Sequence, residues 1–348
     1  MNLIEGLYYI GCSIKKYKNI KNQKRLPYTV ISIGNITVGG TGKTPATISI
    51  AEEARKRGFL PIILTRGYKG KREGLCFVSK GSGPLVSERD VGDEAILMAE
   101  KLTDVLIIKG EDRYDAGIFA IEHLKSQITN LKSQILFILD DGFQHWRLFR
   151  DKDILLIDSK KPFGNNRLLP IGRLREPLNA IGRADIIVIT KTVGKRNNVE
   201  YNEKTLQNSR LVREIRRYNE ESPIFFAEHR PIKFVNLKGD SFPLEWAEDK
   251  TFFAFCGIGN PESFKETLIS SNILLKGFKS YRDHFRYSSE DLRDITEQSE
   301  KIGADWIVTT EKDIMRLKQL EVPANLIAIA IEFIIDKNFY DEIFSEES

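Results

Sequence analysis

The glycine-rich segment TVGGTGKT, residues 37–44, constrains this chain more than any other feature of its sequence. It follows an apolar run, TVISIGN at 29–35, and precedes a helical pattern from Lys43 to Arg57. A strand, a glycine-rich loop and a helix in this order form a phosphate-binding loop, because backbone N–H groups and the helix N-terminus then face one anion. The segment therefore predicts a nucleotide site on an α/β fold.

The loop residues have separate expected roles. Glycines let the backbone approach the anion, Lys43 would reach the β and γ phosphates, and the Thr44 hydroxyl would bind Mg²⁺. The residues expected to bind ATP are Thr37, Val38, Gly39, Gly40, Thr41, Gly42, Lys43 and Thr44. Thr37 stands where the strict motif has glycine, so a glycine-rich turn without a ligand is the alternative.

Acidic residues occur at two places that suit nucleotide chemistry. The apolar run ILFILD at 135–140 ends in Asp140 and continues with Asp141, and either one is expected to be the acidic partner of Mg²⁺. Asp93 and Glu94 open a predicted helix, where the dipole alone stabilises acids by about 0.3–1 kcal/mol. The alternative is that one of them accepts a proton from a substrate hydroxyl while the other helps to order Mg²⁺.

Strand-like and helix-like segments alternate along the first two thirds of the chain. Apolar strands are predicted at 29–35, 60–65, 104–109, 135–140, 153–158 and 184–190. Such continuous apolar strands, separated by helices, indicate a mostly parallel sheet covered on both faces. The repeated LKSQI at 124–128 and 131–135 is interpreted as a lengthened helix or connection.

The chain length of 348 residues favours two domains over one. The predicted organisation is a P-loop NTPase-like domain and a smaller α/β domain, joined by a short β-stranded linker. The predicted boundaries are 1–25 for an N-terminal helix and basic segment, 26–215 for the nucleotide-binding domain, 216–246 for the linker and 247–348 for the smaller domain. The predicted elements of the smaller domain are a strand at 251–260, a helix after Pro261, a loop through His284, a helix from Glu290 capped by Ser288 and Asp291, a strand at 305–310 and a terminal strand at 326–334.

Composition excludes several classes of function. A net charge of +4 over 348 residues does not favour nucleic acid as a partner. Cys12, Cys76 and Cys256 lie far apart, so neither a disulfide framework nor a zinc site is indicated. No run reaches the roughly 18 apolar residues that a spanning helix needs. A protein of a reducing compartment that does not cross a membrane is therefore expected.

The N-terminus combines an apolar stretch with a basic one. Residues Leu3 to Ile14 are mostly apolar, and six basic and no acidic residues follow between Lys15 and Arg25. This order suits an interfacial helix on an anionic membrane surface, where each nearby Lys or Arg adds about 1 kcal/mol. A packed N-terminal helix with a solvated linker is the alternative.

Eight motifs in the same order resemble those of the tetraacyldisaccharide 4'-kinase family, the lipid A 4'-kinases. They are TVGGTGKT, LTRGYKG, VGDEA, GEDRY, DDGFQHWRLFRD, LLPIGRLREP, GIGNP and TTEKD, from about residue 30 to 313. The resemblance implies transfer of the ATP γ-phosphate to the 4'-hydroxyl of a tetraacyl disaccharide 1-phosphate, which gives lipid IVA. It also implies a peripheral or monotopic enzyme, expected to be a monomer, on the cytoplasmic face of the inner membrane.

The resemblance also implies roles for individual residues. Asp93 matches the proposed base, paired with a histidine that matches His284, which by itself would more often be structural. Lys43, Thr44, Glu94, Asp140 and Asp141 match positions that handle phosphates and Mg²⁺, and Arg113, Gln144, His145, Arg175 and Glu176 match other active-site positions. If His284 lies in the second domain, the pair is expected to form only when the two domains approach.

Two other functions use the same phosphate loop. An ATP-dependent ligase would activate a carboxylate and release ADP only with an amine acceptor. A nucleotide-switched ATPase would hydrolyse ATP slowly with a protein partner and no lipid acceptor.

Overall fold

The computed structural model describes residues 2–124, 135–192, 195–196, 199–200, 207 and 209–345. The chain falls into two compact units. Unit 1 comprises Met1–Val91, Met98–His229 and Phe333–Ser348, and unit 2 comprises Gly92–Leu97 and Arg230–Glu332. The domain boundaries predicted after residues 25, 215 and 246 stay a prediction. The lengthened helix or connection predicted for the LKSQI repeat falls on 125–134, outside the described residues.

The described helices and strands have the following bounds. The helices are α1 (Leu3–Lys21), α2 (Lys43–Lys56), α3 (Glu88–Val91), α4 (Asp93–Lys101), α5 (Arg113–Leu124), α6 (Arg210–Arg216), α7 (Pro261–Ser270), α8 (Ser289–Lys301), α9 (Glu311–Arg316) and α10 (Lys337–Phe344), with 3₁₀ turns at Leu178–Arg183 and Leu244–Ala247. The strands are β1 (Thr29–Gly34), β2 (Leu60–Thr65), β3 (Cys76–Ser82), β4 (Thr103–Lys109), β5 (Ile135–Asp140), β6 (Lys152–Asp158), β7 (Ile186–Thr190), β8 (Lys195–Arg196), β9 (Val199–Glu200), β10 (Ile224–Val235), β11 (Ser241–Pro243), β12 (Thr251–Cys256), β13 (Leu274–Ser280), β14 (Trp306–Thr310) and β15 (Leu326–Ile335).

Unit 1 is built on a sheet whose strand order places β1 near its centre. The order is β10-β7-β6-β1-β5-β2-β4-β3, with β3 antiparallel to β4 and the other neighbours parallel. All six residues of β5 are buried, as expected for a strand covered on both faces. Strands β2 to β5 lie on one side of β1, and the next strand, β6, lies on its other side. The carboxyl end of β1 is therefore a topological switch point, where α/β folds bind ligands.

Unit 2 contains a smaller parallel sheet with its own aromatic core. Its strands follow the order β13-β12-β14-β15, and β11 pairs antiparallel with the end of β10. Phe234 and Phe252 are fully buried and stack with their ring centroids 5.9 Å apart. Helices α7 and α8 pack on strands of this sheet.

The predicted fold class, a mostly parallel α/β sheet, is confirmed. Three local expectations are wrong. The loop predicted through His284 contains β13, β3 was not predicted, and the chain continues beyond β15 into α10. Strands β3 and β13 are edge strands, and each contains a glycine and an exposed lysine, so their apolar signal is weak. The capping box predicted at Ser288 and Asp291 is present.

Helix α1 is longer than the predicted apolar segment and extends through Lys21. Within the part of the chain that the structure describes, no helix combines the length and apolar character needed to cross a membrane. The carboxylate of Glu5, which is 2% exposed, accepts hydrogen bonds from Arg167 at 2.9 and 3.1 Å. The Tyr8 hydroxyl donates to the carbonyl of Arg175 at 3.1 Å. One edge of α1 is therefore fixed to unit 1.

Candidate active site

The glycine-rich loop joins the carboxyl end of β1 to the first turn of α2. Gly42 is the N-cap of α2, with φ +90°, and supplies no side-chain cap. The first turn of α2 holds no acid. Its first N–H groups thus lack a side-chain cap at Gly42, the arrangement in which a helix start binds an anion. A Cβ at Gly42 would lie 2.2 Å from His229 Cε1, so space as well as φ requires glycine here.

The loop is held by residues from neighbouring strands. Asn35 Nδ2 donates to the Thr41 hydroxyl at 2.9 Å, and the Thr190 hydroxyl donates to the Thr41 carbonyl at 2.8 Å. Lys191 Nζ donates to the Gly40 carbonyl at 2.6 Å. Asn35, Thr190 and Lys191 were not predicted from the sequence as site residues. Their positions directly after β1 and at the end of β7 were the available signal, since carboxyl ends of parallel strands meet at one edge.

Thr37, the departure from the strict motif, forms an antiparallel bridge with Leu174. The adjacent Val38 N–H donates to the Arg173 carbonyl at 2.8 Å. Thr37 is 5% exposed and does not adopt a positive φ. A β-branched residue suits such a bridged, buried position, so glycine is not needed there.

Lys43 lies beside the second acid of the DDGF turn. Its Nζ is 3.6 Å from Asp141 Oδ1 and 3.5 Å from Asn35 Oδ1. Arg175 Nη1 also donates to Asp141, at 2.9 and 3.0 Å. Burial opposes ionisation of Asp141, but the charges of Lys43 and Arg175 outweigh it and lower its pKa to about 2. Lys43, Asp141 and Arg175 therefore form one charged cluster at the loop.

Asp140 is the other acid of this turn and is 4% exposed. Its carboxylate accepts hydrogen bonds from the hydroxyls of Thr65 at 3.0 Å and Thr47 at 3.5 Å. Thr44, in the first turn of α2, is 2% exposed. Within the described ranges, no three His, Cys, Asp or Glu side chains cluster as a ready metal site. Hydroxyl and carboxylate oxygens nevertheless fit Mg²⁺, which is commonly held by one or two carboxylates together with substrate phosphates.

Gln144 and Glu176 form a second network beside this turn. Gln144 Nε2 donates to Glu176 Oε1 at 2.8 Å and to the Asn35 carbonyl at 2.9 Å. Arg183 donates to both oxygens of Glu176, at 2.6 and 2.8 Å. Lys16 of α1 lies 3.9 Å from Glu176. Gln144 and Glu176 therefore meet in unit 1 and connect the DDGF turn to the segment that carries Arg175.

Arg113 and His145 also meet in unit 1. The backbone N–H of Arg113, at the start of α5, donates to His145 Nε2 at 3.3 Å. Arg113 is 4% exposed, and its Nε has no hydrogen-bond partner among the residues that the structure describes. Burial lowers the pKa of Arg113 to about 10, against the opposing effects of Asp140 and Asp141. Burial and then the charge of Arg113 lower the pKa of His145 to about 3, so its ring is neutral at physiological pH.

Asp93 and His284 meet inside unit 2. His284 Nδ1 lies 3.2 Å from Asp93 Oδ1, and the two side chains are 15% and 3% exposed. His284 has φ +56°, and its N–H donates to the Gly257 carbonyl at 2.9 Å. Gly92–Leu97 belongs to the same unit as His284. The pair is therefore formed within one unit of this structure, and the expectation that it forms only when two domains approach stays a prediction.

Helix α9 adds two cations that the sequence analysis did not assign. Arg316 Nη2 donates to Asp93 Oδ2, and Lys312 Nζ donates to Glu94 Oε1. Burial opposes ionisation of Asp93, but the hydrogen bond from His284 and the charge of Arg316 hold its pKa well below the usual range. Lys312 and Arg316 are four residues apart on α9, so they share a face opposite two adjacent acids. The four-residue spacing of Lys312, inside the TTEKD motif, and Arg316, just after it, was the signal that the sequence offered for this pair of cations.

Comparison with known proteins identifies the family. The family profile described as tetraacyldisaccharide-1-P 4'-kinase matches residues 3–347. The chain belongs to this kinase family. A tetraacyldisaccharide 4'-kinase of Syntrophus aciditrophicus is 39% identical over 90% of this chain and 83% of the relative, and that of Aquifex aeolicus is 35% identical over 86% and 82%.

A solved structure supports the same assignment. The LpxK crystal structure from Aquifex aeolicus, described as a complex with ATP, has a TM-score of 0.72 and 30% sequence identity to this chain. The match covers 98% of this chain and 96% of the solved one. The resemblance to the lipid A 4'-kinases drawn from the eight motifs is confirmed, and the protein is a kinase of that family.

Proposed function

We propose that this protein transfers the γ-phosphate of ATP to the 4'-hydroxyl of a tetraacyl disaccharide 1-phosphate, yielding lipid IVA. The observation that carries the proposal is the phosphate loop, in which Lys43 stands beside Asp141 at an uncapped helix start. The family to which the chain belongs supplies the class of acceptor. Neither the ligase nor the switch alternative is favoured by the family match.

Unit 1 would bind the nucleotide. The backbone N–H groups of residues 37–44 would surround the phosphates, and Lys43 would neutralise charge on the β and γ groups. Arg113 and Arg175 are the nearby cations that could balance charge developing on the transferred group. Thr44 would hold Mg²⁺, with Asp140 or Asp141 as its acidic partner, and the ion would supply further neutralisation of phosphate charge.

Unit 2 would activate the acceptor. The Asp93–His284 pair would take the proton of the 4'-hydroxyl as that oxygen attacks the γ-phosphorus, and ADP would leave. Phosphoryl transfer needs little covalent help from the protein, so positioning and charge carry most of the catalysis. Gln144, His145 and Glu176 would act by holding the cationic residues in place rather than by touching the reacting atoms.

Helix α1 would bind the protein to an anionic membrane surface. Its apolar residues Leu3, Leu7, Ile10 and Ile14 recur at three- and four-residue spacing and are 80, 63, 55 and 52% exposed. Basic residues follow them in the same helix, which suits attraction to anionic lipids. We further propose that the protein is a monomer peripheral to the cytoplasmic face of the inner membrane, where an acylated acceptor is accessible.

The test is a transfer assay with γ-labelled ATP and a tetraacyl disaccharide 1-phosphate. Label should appear in the lipid, and an acceptor already phosphorylated at the 4' position is the matched control. Asp93→Ala and His284→Ala should each lower turnover by at least about 100-fold while ATP binding persists. ADP release that needs a carboxylic acid and an amine would support a ligase instead. Hydrolysis without lipid labelling would support a switch.

A further inference from the structure

A loop at residues 167–175 pairs with the backbone that leads from β1 into the phosphate loop. The Val38 N–H donates to the Arg173 carbonyl at 2.8 Å, and Arg173 Nη2 donates to the Val38 carbonyl at 2.8 Å. The Arg175 N–H donates to the Ile36 carbonyl at 2.7 Å. These hydrogen bonds hold the 167–175 loop against the start of the phosphate loop.

Arg175 connects this loop to the acidic turn of the site. Its backbone N–H is bonded to Ile36, and its carbonyl accepts a hydrogen bond from the Tyr8 hydroxyl of α1 at 3.1 Å. Its Nη1 donates to Asp141 at 2.9 and 3.0 Å. A guanidinium that extends from a backbone held on both sides samples few orientations, and small displacements of a positioned group lower reaction rates strongly. The Tyr8 hydroxyl therefore contributes to the position of a cation of the proposed transfer site.

Tyr8 combines an apolar ring with one hydrogen-bond donor. The ring packs against the core cluster of unit 1 that includes Leu168 and Leu174, and both leucines belong to the 167–175 loop. Packing of the ring fixes the direction of the hydroxyl, as is usual for a tyrosine with one apolar and one polar end. The ring and the hydroxyl can be separated by mutation, because phenylalanine keeps the packing and lacks the donor.

Glu5 holds the same loop at its other end. Its buried carboxylate accepts hydrogen bonds from Arg167 Nη2 at 2.9 Å and from Arg167 Nε at 3.1 Å. The carboxylate also accepts the Asn2 N–H at 2.9 Å in the capping box of α1, which by itself requires no arginine. A buried ion pair is weak evidence for stability, because desolvation offsets much of the attraction. The forked contact instead fixes the loop relative to α1.

We propose that Tyr8 and Glu5 are positioning residues for phosphoryl transfer, which hold the 167–175 loop from α1 and act through Arg175. This inference rests on the proposed function. Helix α1 then has two separable roles. Its exposed apolar residues bind the membrane surface, and the edge that contacts unit 1 fixes the active site. Because Arg175 is held before ATP binds, the cation needs little reorganisation as charge develops on the transferred group.

The matched test compares Tyr8→Phe with Tyr9→Phe in the full chain. The assay uses γ-labelled ATP and the tetraacyl disaccharide 1-phosphate in detergent micelles. Tyr8→Phe should lower kcat about 10-fold and change KM for ATP less than about 3-fold, because the lost contact acts on transfer rather than on nucleotide binding. Tyr9 is the next residue of α1 and is 39% exposed, so Tyr9→Phe should keep the wild-type kcat and KM.

A double-mutant cycle shows whether Tyr8 acts through Arg175. Adding Tyr8→Phe to Arg175→Ala should lower kcat by less than about 2-fold beyond the effect of Arg175→Ala alone. A tyrosine that supported only folding or membrane binding would lower kcat by the same factor in both backgrounds. Sedimentation of Tyr8→Phe with anionic phospholipid vesicles should stay within about 2-fold of the wild type, since the exposed apolar residues are unchanged.

The outcomes decide the inference separately from the proposed function. Wild-type kcat in Tyr8→Phe, or equal losses in the two backgrounds of the cycle, overturns the inference. If Tyr8→Phe does not fold, Arg167→Lys replaces it in the cycle, because lysine keeps the charge but loses the fork to Glu5, and wild-type kcat there overturns the inference equally.

If the wild type does not label the disaccharide, the proposed function fails, and amide hydrogen exchange decides whether α1 holds the loop. Peptides that cover residues 167–175 should then exchange at least about 5-fold faster in Tyr8→Phe than in Tyr9→Phe. Equal exchange in the two variants overturns the inference.

Discussion

His145 gives a prediction whose size follows from its contacts. Its Nε2 accepts the Arg113 N–H at the start of α5, which only a neutral ring can do. Burial and the charge of Arg113 lower its pKa from 6.5 to about 3. The unfolded chain binds this proton near pH 6.5, so the stability that depends on the neutral ring is complete above that pH. It is lost as the pH falls from 6.5 towards 3.

The magnitude can be worked out for two convenient pH values. Between pH 7 and pH 5 the linkage relation gives a loss of about 2 kcal/mol in the free energy of unfolding of unit 1 from His145 alone. The pKa of His229 is lowered to about 4 by burial and by Lys191, so protonation of His229 also lowers the free energy of unfolding over the same pH range. The effect of His145 must therefore be read as a difference between two proteins.

The variant that isolates it is His145→Gln. The glutamine carbonyl can accept the same N–H but cannot take up a proton near pH 6. Urea denaturation followed by circular dichroism at pH 7 and pH 5 should show a loss about 2 kcal/mol smaller in the variant than in the wild type. His123→Gln, which replaces an exposed histidine, is the control and should keep the wild-type difference. An equal loss in His145→Gln and the wild type would refute the reasoning.

Two further predictions concern the loop and the first helix. Gly42→Ala places a Cβ 2.2 Å from His229 at a positive φ. Calorimetric titration should therefore show at least about 10-fold weaker ATP binding, and thermal unfolding should show a free energy of unfolding lower by about 1–3 kcal/mol. Gly40→Ala, whose Cβ meets nothing within 4 Å, should keep wild-type thermal stability, and equal losses would contradict the steric argument. Replacing Leu3, Leu7 and Ile10 by Ser should weaken binding to anionic phospholipid vesicles by at least about 10-fold in a sedimentation assay. Unchanged sedimentation would favour a helix that is simply packed.

The sequence predicted the elements whose signals are local. The strand, loop and helix around TVGGTGKT were found because an apolar run, glycines and a helical period are adjacent. Strand β5 was found because all of its residues are apolar except the last. The exchange of glycine for Thr37 was visible, but its reason was not, since the bridge partner Leu174 lies far along the chain.

The interactions that the sequence could not predict are non-local. Asp93 and Arg316 are 223 positions apart, and helix α9 has only six residues, too few for a clear periodic signal. The edge strand β13 begins with Leu274, which is 59% exposed, and contains Gly277, so its pattern is that of a loop. Contacts between residues far apart in the sequence depend on which elements become neighbours in the fold. That is decided by the topology, which a short stretch of sequence does not contain.

The division of the chain into Gly92–Leu97 and Arg230–Glu332 has a practical consequence for dissecting the enzyme. Unit 2 is discontinuous in sequence, so no single cut releases it intact. A fragment beginning at Arg230 would retain His284 and Arg316 but leave the guanidinium and the imidazole without their shared carboxylate. Reconstituting that fragment would require returning the short peptide that carries Asp93, either in trans or by a circular rearrangement of the gene.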